Sequence, residues 1–174
     1  GTGSLTKNGS GTCVVATANN FYTGATYVNN GTLDVATLAD GGVQSGIGAA
    51  SAAAANLTIN GGTLRYTGGY ASVNRMFTVG SSGGTIDIAN NAATLTINGA
   101  GWVVDGTLTK RGPGTLSFVN YNYSYPNAGL DFVVQEGTLA FDSGYDWQWP
   151  PLGGVRVVVT NGATFRSNCG AFGG

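Results

Sequence analysis

Any chemistry in this chain has to be built from eight carboxylates, seven Lys and Arg side chains, two thiols and no histidine. Without an imidazole there is no Ser–His–Asp or Cys–His nucleophile, and the commonest general base and metal ligand are missing. The carboxylates are Asp34, Asp40, Asp87, Asp105, Asp131, Glu136, Asp142 and Asp146. Asp34 and Asp87 each follow a Gly-Thr-Leu or Gly-Thr-Ile triplet, and the triplet between them is followed by Arg65. That order reads as a ladder of alternating charge on a solvated face, each pair worth ~0.2–1 kcal/mol, rather than as carboxylates converging on a groove. The glycine-rich run Gly80–Gly84 has no following lysine or helix with which to hold a phosphate. No catalytic residue, metal site or cofactor is expected.

Two further sets of residues could make contacts. Cys13 and Cys169 lie far apart with no CxxC partner, which argues against zinc. They read either as separate buried thiols or as an intersubunit disulfide pair. Tyr121, Tyr123 and Tyr125 alternate, as do Tyr145, Trp147 and Trp149, so each row faces one side of an extended segment. Three uses of these rows stay open: cover for the core beneath a long loop, a protein contact, or a platform for sugar rings.

The elements that would position these residues follow from composition and repetition. Glycine supplies 31 of 174 residues and charged residues only 9%, while the apolar fraction of 42% is ordinary. A net charge of −1 argues against nucleic acid as a partner, and no apolar run is long enough for a transmembrane helix. Gly-Thr-Leu or a close variant recurs at Gly3, Gly31, Gly62, Gly84, Gly106, Gly114 and Gly137. Leu64, Ile86 and Leu108 are each 22 residues apart, and Leu116 and Leu139 are 23 apart. The 31 residues from Leu33 to Leu64 imply an insertion around Gly41–Ala55. A longer duplication aligns Gly3–Cys13 with Gly106–Leu116 and Gly31–Leu33 with Gly137–Leu139.

Between the triplets stand short runs that alternate apolar with small polar residues, among them Thr12–Thr17, Thr32–Val35, Leu57–Ile59, Thr63–Tyr66, Thr85–Ile88, Leu95–Ile97, Thr115–Val119 and Thr138–Phe141. Asn-Gly pairs punctuate them, and only Ala49–Ala55 admits a short helix. Such strands at a ~22-residue period predict a parallel β-helix of about eight coils stacked ~4.8 Å apart, with Leu64, Ile86 and Leu108 in one inward ladder. Residues 1–174 are expected to form a single solenoid from two related halves, about 1–103 and 104–174, the second incomplete.

Leu5–Thr12 followed by Asn19–Leu33 resembles the autotransporter-associated β-strand repeat, with its glycine-threonine-leucine strand, tyrosine-threonine-glycine turn and second such strand. Leu108–Leu139 is similar to a degenerate second copy. The resemblance implies a right-handed parallel β-helix at a bacterial cell surface or outside the cell, in which the repeats build a stalk or passenger. No translocator barrel is present in these residues, so export is expected to be encoded elsewhere. Gly1–Lys7 opens in a strand motif and Thr164–Gly174 offers no amphipathic cap, so end-to-end stacking is expected, either as consecutive segments of one larger chain or as copies in a filament, with Cys13 and Cys169 able to meet at a junction between copies. The expected function is a non-enzymatic structural subunit or segment of an extracellular bacterial surface protein or fibre. The alternative is a carbohydrate-binding adhesin using the Tyr and Trp rows.

Overall fold

The computed structural model describes residues 1–119, 131–142, 156–160 and 162–168. Seventeen short strands lie among the described residues. The chain begins with β1 (Leu5–Lys7), β2 (Thr12–Val15), β3 (Thr26–Val28) and β4 (Thr32–Val35). After a long connection come β5 (Leu57–Ile59), β6 (Thr63–Tyr66), β7 (Ala71–Val73), β8 (Thr78–Val79), β9 (Gly84–Ile88) and β10 (Thr94–Ile97). The rest are β11 (Val103–Val104), β12 (Thr107–Arg111), β13 (Thr115–Phe118), β14 (Asp131–Val134), β15 (Thr138–Phe141), β16 (Arg156–Val159) and β17 (Thr164–Ser167).

Every strand pairing is parallel, and together they form three sheets. The first face stacks β1, β3, β5, β8 and β11, the second β2, β4, β6, β9, β12, β14 and β16, and the third β7, β10, β13, β15 and β17. The chain visits the faces in turn, which makes a β-solenoid of about six turns. Eight coils were expected from a 22-residue period. Four of the six steps along the second face are longer than that, reaching 31 residues between Thr32 and Thr63. The cause is the insertion expected there: residues 36–56 contain no strand and close with a 3₁₀ turn at Ala54–Asn56. Asp40 and Asn74 pin this segment, the Asp40 carboxylate accepting from the Asn74 amide at 2.7 Å and the Asn74 side chain accepting from the Gly41 amide at 2.8 Å.

The inward ladder of leucines holds in part. Leu33 pairs with Leu64 and Leu64 with Ile86, but Ile86 then meets Lys110, and Leu108 sits against Gly84. The register slips by two residues at β12, which keeps every inward side chain inward because strand side chains alternate. Leu116 and Leu139 do pair, on the third face. The triplets therefore do not mark one corner. The duplicated motif uses the first and second faces at β1 and β2, and the second and third faces at β12 and β13.

Inside, the early coils are aliphatic, with Val28, Leu33, Val35, Ile59 and Val79 fully enclosed. The later coils carry a run of rings. Phe77 stacks on Trp102 with centroids 6.2 Å apart, Trp102 lies 5.0 Å from Phe118, and Phe118 lies 5.3 Å from Phe141. At the corners glycine is required by geometry at Gly31 and Gly137, both at φ 64°. A Cβ on Gly31 would collide with the carbonyl oxygens of Gly9 and Gly11 in the preceding coil, and one on Gly137 with those of Gly112 and Gly114.

Candidate functional site

The strongest polar constellation inside the solenoid is a pair of buried lysines at matching steps of the duplicated motif, one at the corner between the first and second faces and one at the corner between the second and third. In β1 the alternation turns Leu5 and Lys7 inward, and in β12 it turns Leu108 and Lys110 inward. The Lys7 ammonium donates to the carbonyl oxygens of Asn8 at 2.8 Å, Gly9 at 2.6 Å and Asn30 at 3.1 Å. Lys110 repeats the pattern, donating to Arg111 and Gly112, both at 2.7 Å, and to Glu136 at 3.1 Å. Each ammonium thus holds two carbonyls of its own corner and one of the next coil, so it staples adjacent turns together. Burial pushes the Lys110 amine down to about 8, while the charges of Asp87 and Glu136 pull it back up. Lys110 is sealed from solvent, which suits a structural clasp and denies it a role as an accessible nucleophile.

A third buried cation, Arg75, fastens the inserted segment to the core. It is 2% exposed, and its Nη2 donates over 3.3–3.4 Å to the carbonyls of Asp40, Val43 and Gly48. Its Nε and Nη1 have no hydrogen-bond partner among the described residues. The guanidinium borders a small apolar cavity that Leu38, Ile47, Leu57 and Phe77 also line. Burial lowers its proton affinity, with Tyr22 and Asp40 opposing that shift.

On the outside the charge ladder forms as its spacing implied. Arg65 lies 3.6 Å from the Asp34 carboxylate and 3.7 Å from that of Asp87. The pairing register extends the column to Arg111. Two tighter pairs lie in the last coils: Arg156 grips Asp131 and Arg166 grips Asp142, each through two N–H groups at 2.6 and 3.0 Å. Ser117 and Asn168 also donate to Asp142. Hydrogen bonds from Arg166 hold the Asp142 carboxyl below its usual range against the effect of burial, with Ser117, the Arg166 charge and Asn168 helping. Beside this column threonines line up outward across five coils of the second face: Thr12, Thr32, Thr63, Thr85 and Thr109.

The residues singled out for contact fare unequally. Cys13 is a free thiol, half-buried and turned inward in β2 against Leu33. Cys169, Tyr121, Tyr123, Tyr125, Tyr145, Trp147 and Trp149 lie outside the described residues. Among the described residues no three His, Cys, Asp or Glu side chains approach closely enough to hold a metal ion, and no helix is long and apolar enough to cross a membrane. Lys7 and Lys110 escaped the reading of the residue types. Their signal was there: the duplicated stretches place a lysine at the same inward step, two residues after a leucine.

Among the described residues the first and last coils pair on one side only. At the first coil the inward Cys13 and Val15 are only half-buried, although their partners one coil in, Leu33 and Val35, are fully enclosed. At the last coil Val159 is 44% exposed, against 0% for its partner Val134. Among the described residues β1 pairs only with β3, β2 only with β4, β16 only with β14 and β17 only with β15.

Residues 5–35 and 108–141, the two stretches that carry the lysine clasps, match the model of the passenger-associated-transport-repeat. The adhesin BmaC autotransporter of Brucella suis biovar 1 (strain 1330) is 45% identical over 125 residues, which is 72% of this chain and 4% of that protein. The chain thus spans a small fraction of this relative's length. No solved structure matches the chain.

Proposed function

We propose that this chain, which belongs to the autotransporter-associated repeat family of bacterial surface proteins, is a non-enzymatic length unit of an extracellular adhesin-type passenger or fibre that continues end to end. The observation that carries this reading is the exposure of inward side chains at both ends. Among the described residues no further coil covers the inward Val159, Cys13 and Val15, while their register partners one step in, Val134, Leu33 and Val35, are sealed. Burying such apolar surface under one more parallel coil is favourable by ~25 cal/mol per Å². The added coil also pairs the open strand edges. The carbonyl-clasped lysines and few exposed charges suit a building element, because a stacking rod gains from low self-repulsion.

Sedimentation velocity over a wide concentration range, with electron micrographs of the same samples, tests this reading. Species growing with concentration into thin rods are expected. A monomer at every concentration refutes continuation by stacking of separate copies. A Cys13–Cys169 bond would make the junction covalent, and it would appear as a ladder on non-reducing gels that collapses with reductant.

The adhesin name of the relative favours a second reading, in which Tyr121, Tyr123, Tyr125, Tyr145, Trp147 and Trp149 bind glycans. Binding on a glycan array that disappears in Trp147→Ala and Trp149→Ala would support it.

A further inference from the structure

The inserted segment, residues 36–56, is fastened to the coils by a cation that has no ion-pair partner. Arg75 is 2% exposed, and only its Nη2 finds partners, three carbonyls of the insertion at the long distances of 3.3–3.4 Å. Nε and Nη1 are buried with no hydrogen-bond partner among the described residues, which leaves three of the five guanidinium N–H groups unused. No ion pair among the described residues reaches Arg75. The two acidic groups whose fields it feels are engaged elsewhere: the Asp40 carboxylate accepts from the Asn74 amide at 2.7 Å, and the Tyr22 hydroxyl pairs with that of Thr26 at 2.8 Å. Burial raises the proton affinity of the Tyr22 phenol, so it carries no charge at neutral pH. The buried lysines differ sharply, since Lys7 and Lys110 each reach three carbonyls within 3.1 Å. A buried charge with most of its donors unused is costly, and an opposite charge beside it removes much of that cost.

The cavity that Arg75 borders has a volume of about 20 Å³. One water-sized occupant needs ~10–15 Å³, so there is room for a single small species. Leu38 and Ile47 of the insertion and Leu64, Val73, Phe77 and Ile86 of the coils line it, and Arg75 is the one polar residue among the lining. That lining discriminates between occupants. A buried water needs two to four polar partners, and here it would meet only donors, so both its hydrogens would lack an acceptor. A carboxylate or a phosphate carries more heavy atoms than the space admits. A halide ion only accepts, tolerates apolar contact on its remaining sides and brings the missing negative charge.

We infer that Arg75 and this cavity form a buried site for one halide ion, chloride or bromide, at the seam between the inserted segment and the coils. The guanidinium supplies the N–H donors and the positive charge, and the apolar walls keep water from competing. Two of those walls, Leu38 and Ile47, belong to the insertion, so the site is complete only while the insertion is seated. An ion that binds the seated form alone shifts the balance towards it. The halide would thus fasten a strandless segment that the sheets do not hold. The site lies among described coils in the middle of the solenoid and does not depend on how segments or copies join.

Urea unfolding of the whole chain and of its Arg75→Met variant, in sodium chloride and in sodium gluconate at matched ionic strength, tests the site. Gluconate carries the same charge but is too large to enter, and general salt effects common to both proteins cancel. The ratio of folded to unfolded parent, relative to the variant, is expected to rise close to tenfold for each tenfold increase in chloride above the dissociation constant. In gluconate that relative ratio should stay constant. A crystal of the parent grown in bromide should show one buried anomalous peak within hydrogen-bond distance of the Arg75 guanidinium. If Arg75→Met does not fold, the bromide peak decides alone. A chloride response equal in parent and variant overturns the site, as does a bromide crystal without that peak, in favour of a cavity that holds water or nothing.

Discussion

Replacing Lys110 with methionine separates two opposing contributions of the buried clasp. The methionine keeps most of the volume but removes the donor to Arg111, Gly112 and Glu136. Leaving buried carbonyls without that partner costs ~1–3 kcal/mol each where no other donor reaches them. Against this stands the penalty of holding a buried ammonium. The amine titrates near 8 in the folded chain instead of its ordinary 10.5, a difference of about 2.5 units and so roughly 3 kcal/mol at pH 7. The two effects offset at neutral pH, and the variant is expected to lie within ~2 kcal/mol of the parent there. Between pH 8 and 10.5 the unfolded chain binds the proton that the folded chain has released. The parent therefore gains stability with rising pH, at up to ~1.4 kcal/mol per unit. Methionine cannot titrate, so the parent should pull ahead of it by about 3 kcal/mol between pH 7 and 10.5. Urea unfolding of both proteins at pH 7, 8, 9 and 10, followed by circular dichroism, reads this difference, and titrations common to both cancel. Parallel pH profiles, or a parent that weakens relative to the variant above pH 8, would refute the assignment of a depressed amine at this corner.

Two other substitutions probe the corners and the last coils. Gly31→Ala should cost several times more than Gly9→Ala in urea midpoint. Both positions have φ near +65° to +70°, but a Cβ at Gly9 meets open space while one at Gly31 runs into backbone oxygens of the preceding coil. Equal losses at the two sites would remove the steric argument. Asp142→Asn should weaken the last coils by ~1–2 kcal/mol at pH 7, because the Arg166 guanidinium loses its charged partner. The Asp142 carboxyl is depressed in the folded chain, so its contribution is present at neutral pH and fades as pH falls through that depressed range. Hydrogen exchange of the β15 and β17 amides at pH 7 and pH 3 checks this, and a mutational effect that grows on acidification would contradict it.

Much of the fold was legible because its signals are local. A small residue, a threonine and an aliphatic residue define a corner and the strand that leaves it, whatever surrounds them. Thr32–Val35, Thr63–Tyr66 and Thr138–Phe141 accordingly appear as strands with the boundaries their alternation implied. The Asp34–Arg65–Asp87 column was legible for the same reason, since its members share one step after the corner. The shorter strands at Ala71–Val73 and Val103–Val104 carry too few residues for alternation to register, and pairing with one neighbouring coil, β10 and β8 respectively, holds them extended.

By itself, then, the amino-acid sequence determined the corners, the inward and outward alternation, the parallel coiling and the family. Only the tertiary structure decided which face each repeat occupies. The face depends on the accumulated length of every loop before it, and a local motif carries no record of that length. The same holds for the lysine clasps. A lysine at an inward step, two residues after a leucine, looks misplaced along the chain, and it becomes a staple only when the next coil brings a carbonyl of Asn30 or Glu136 within 3.1 Å of the ammonium. Residue type sets what a side chain is able to bind, and stacking sets what is there to be bound.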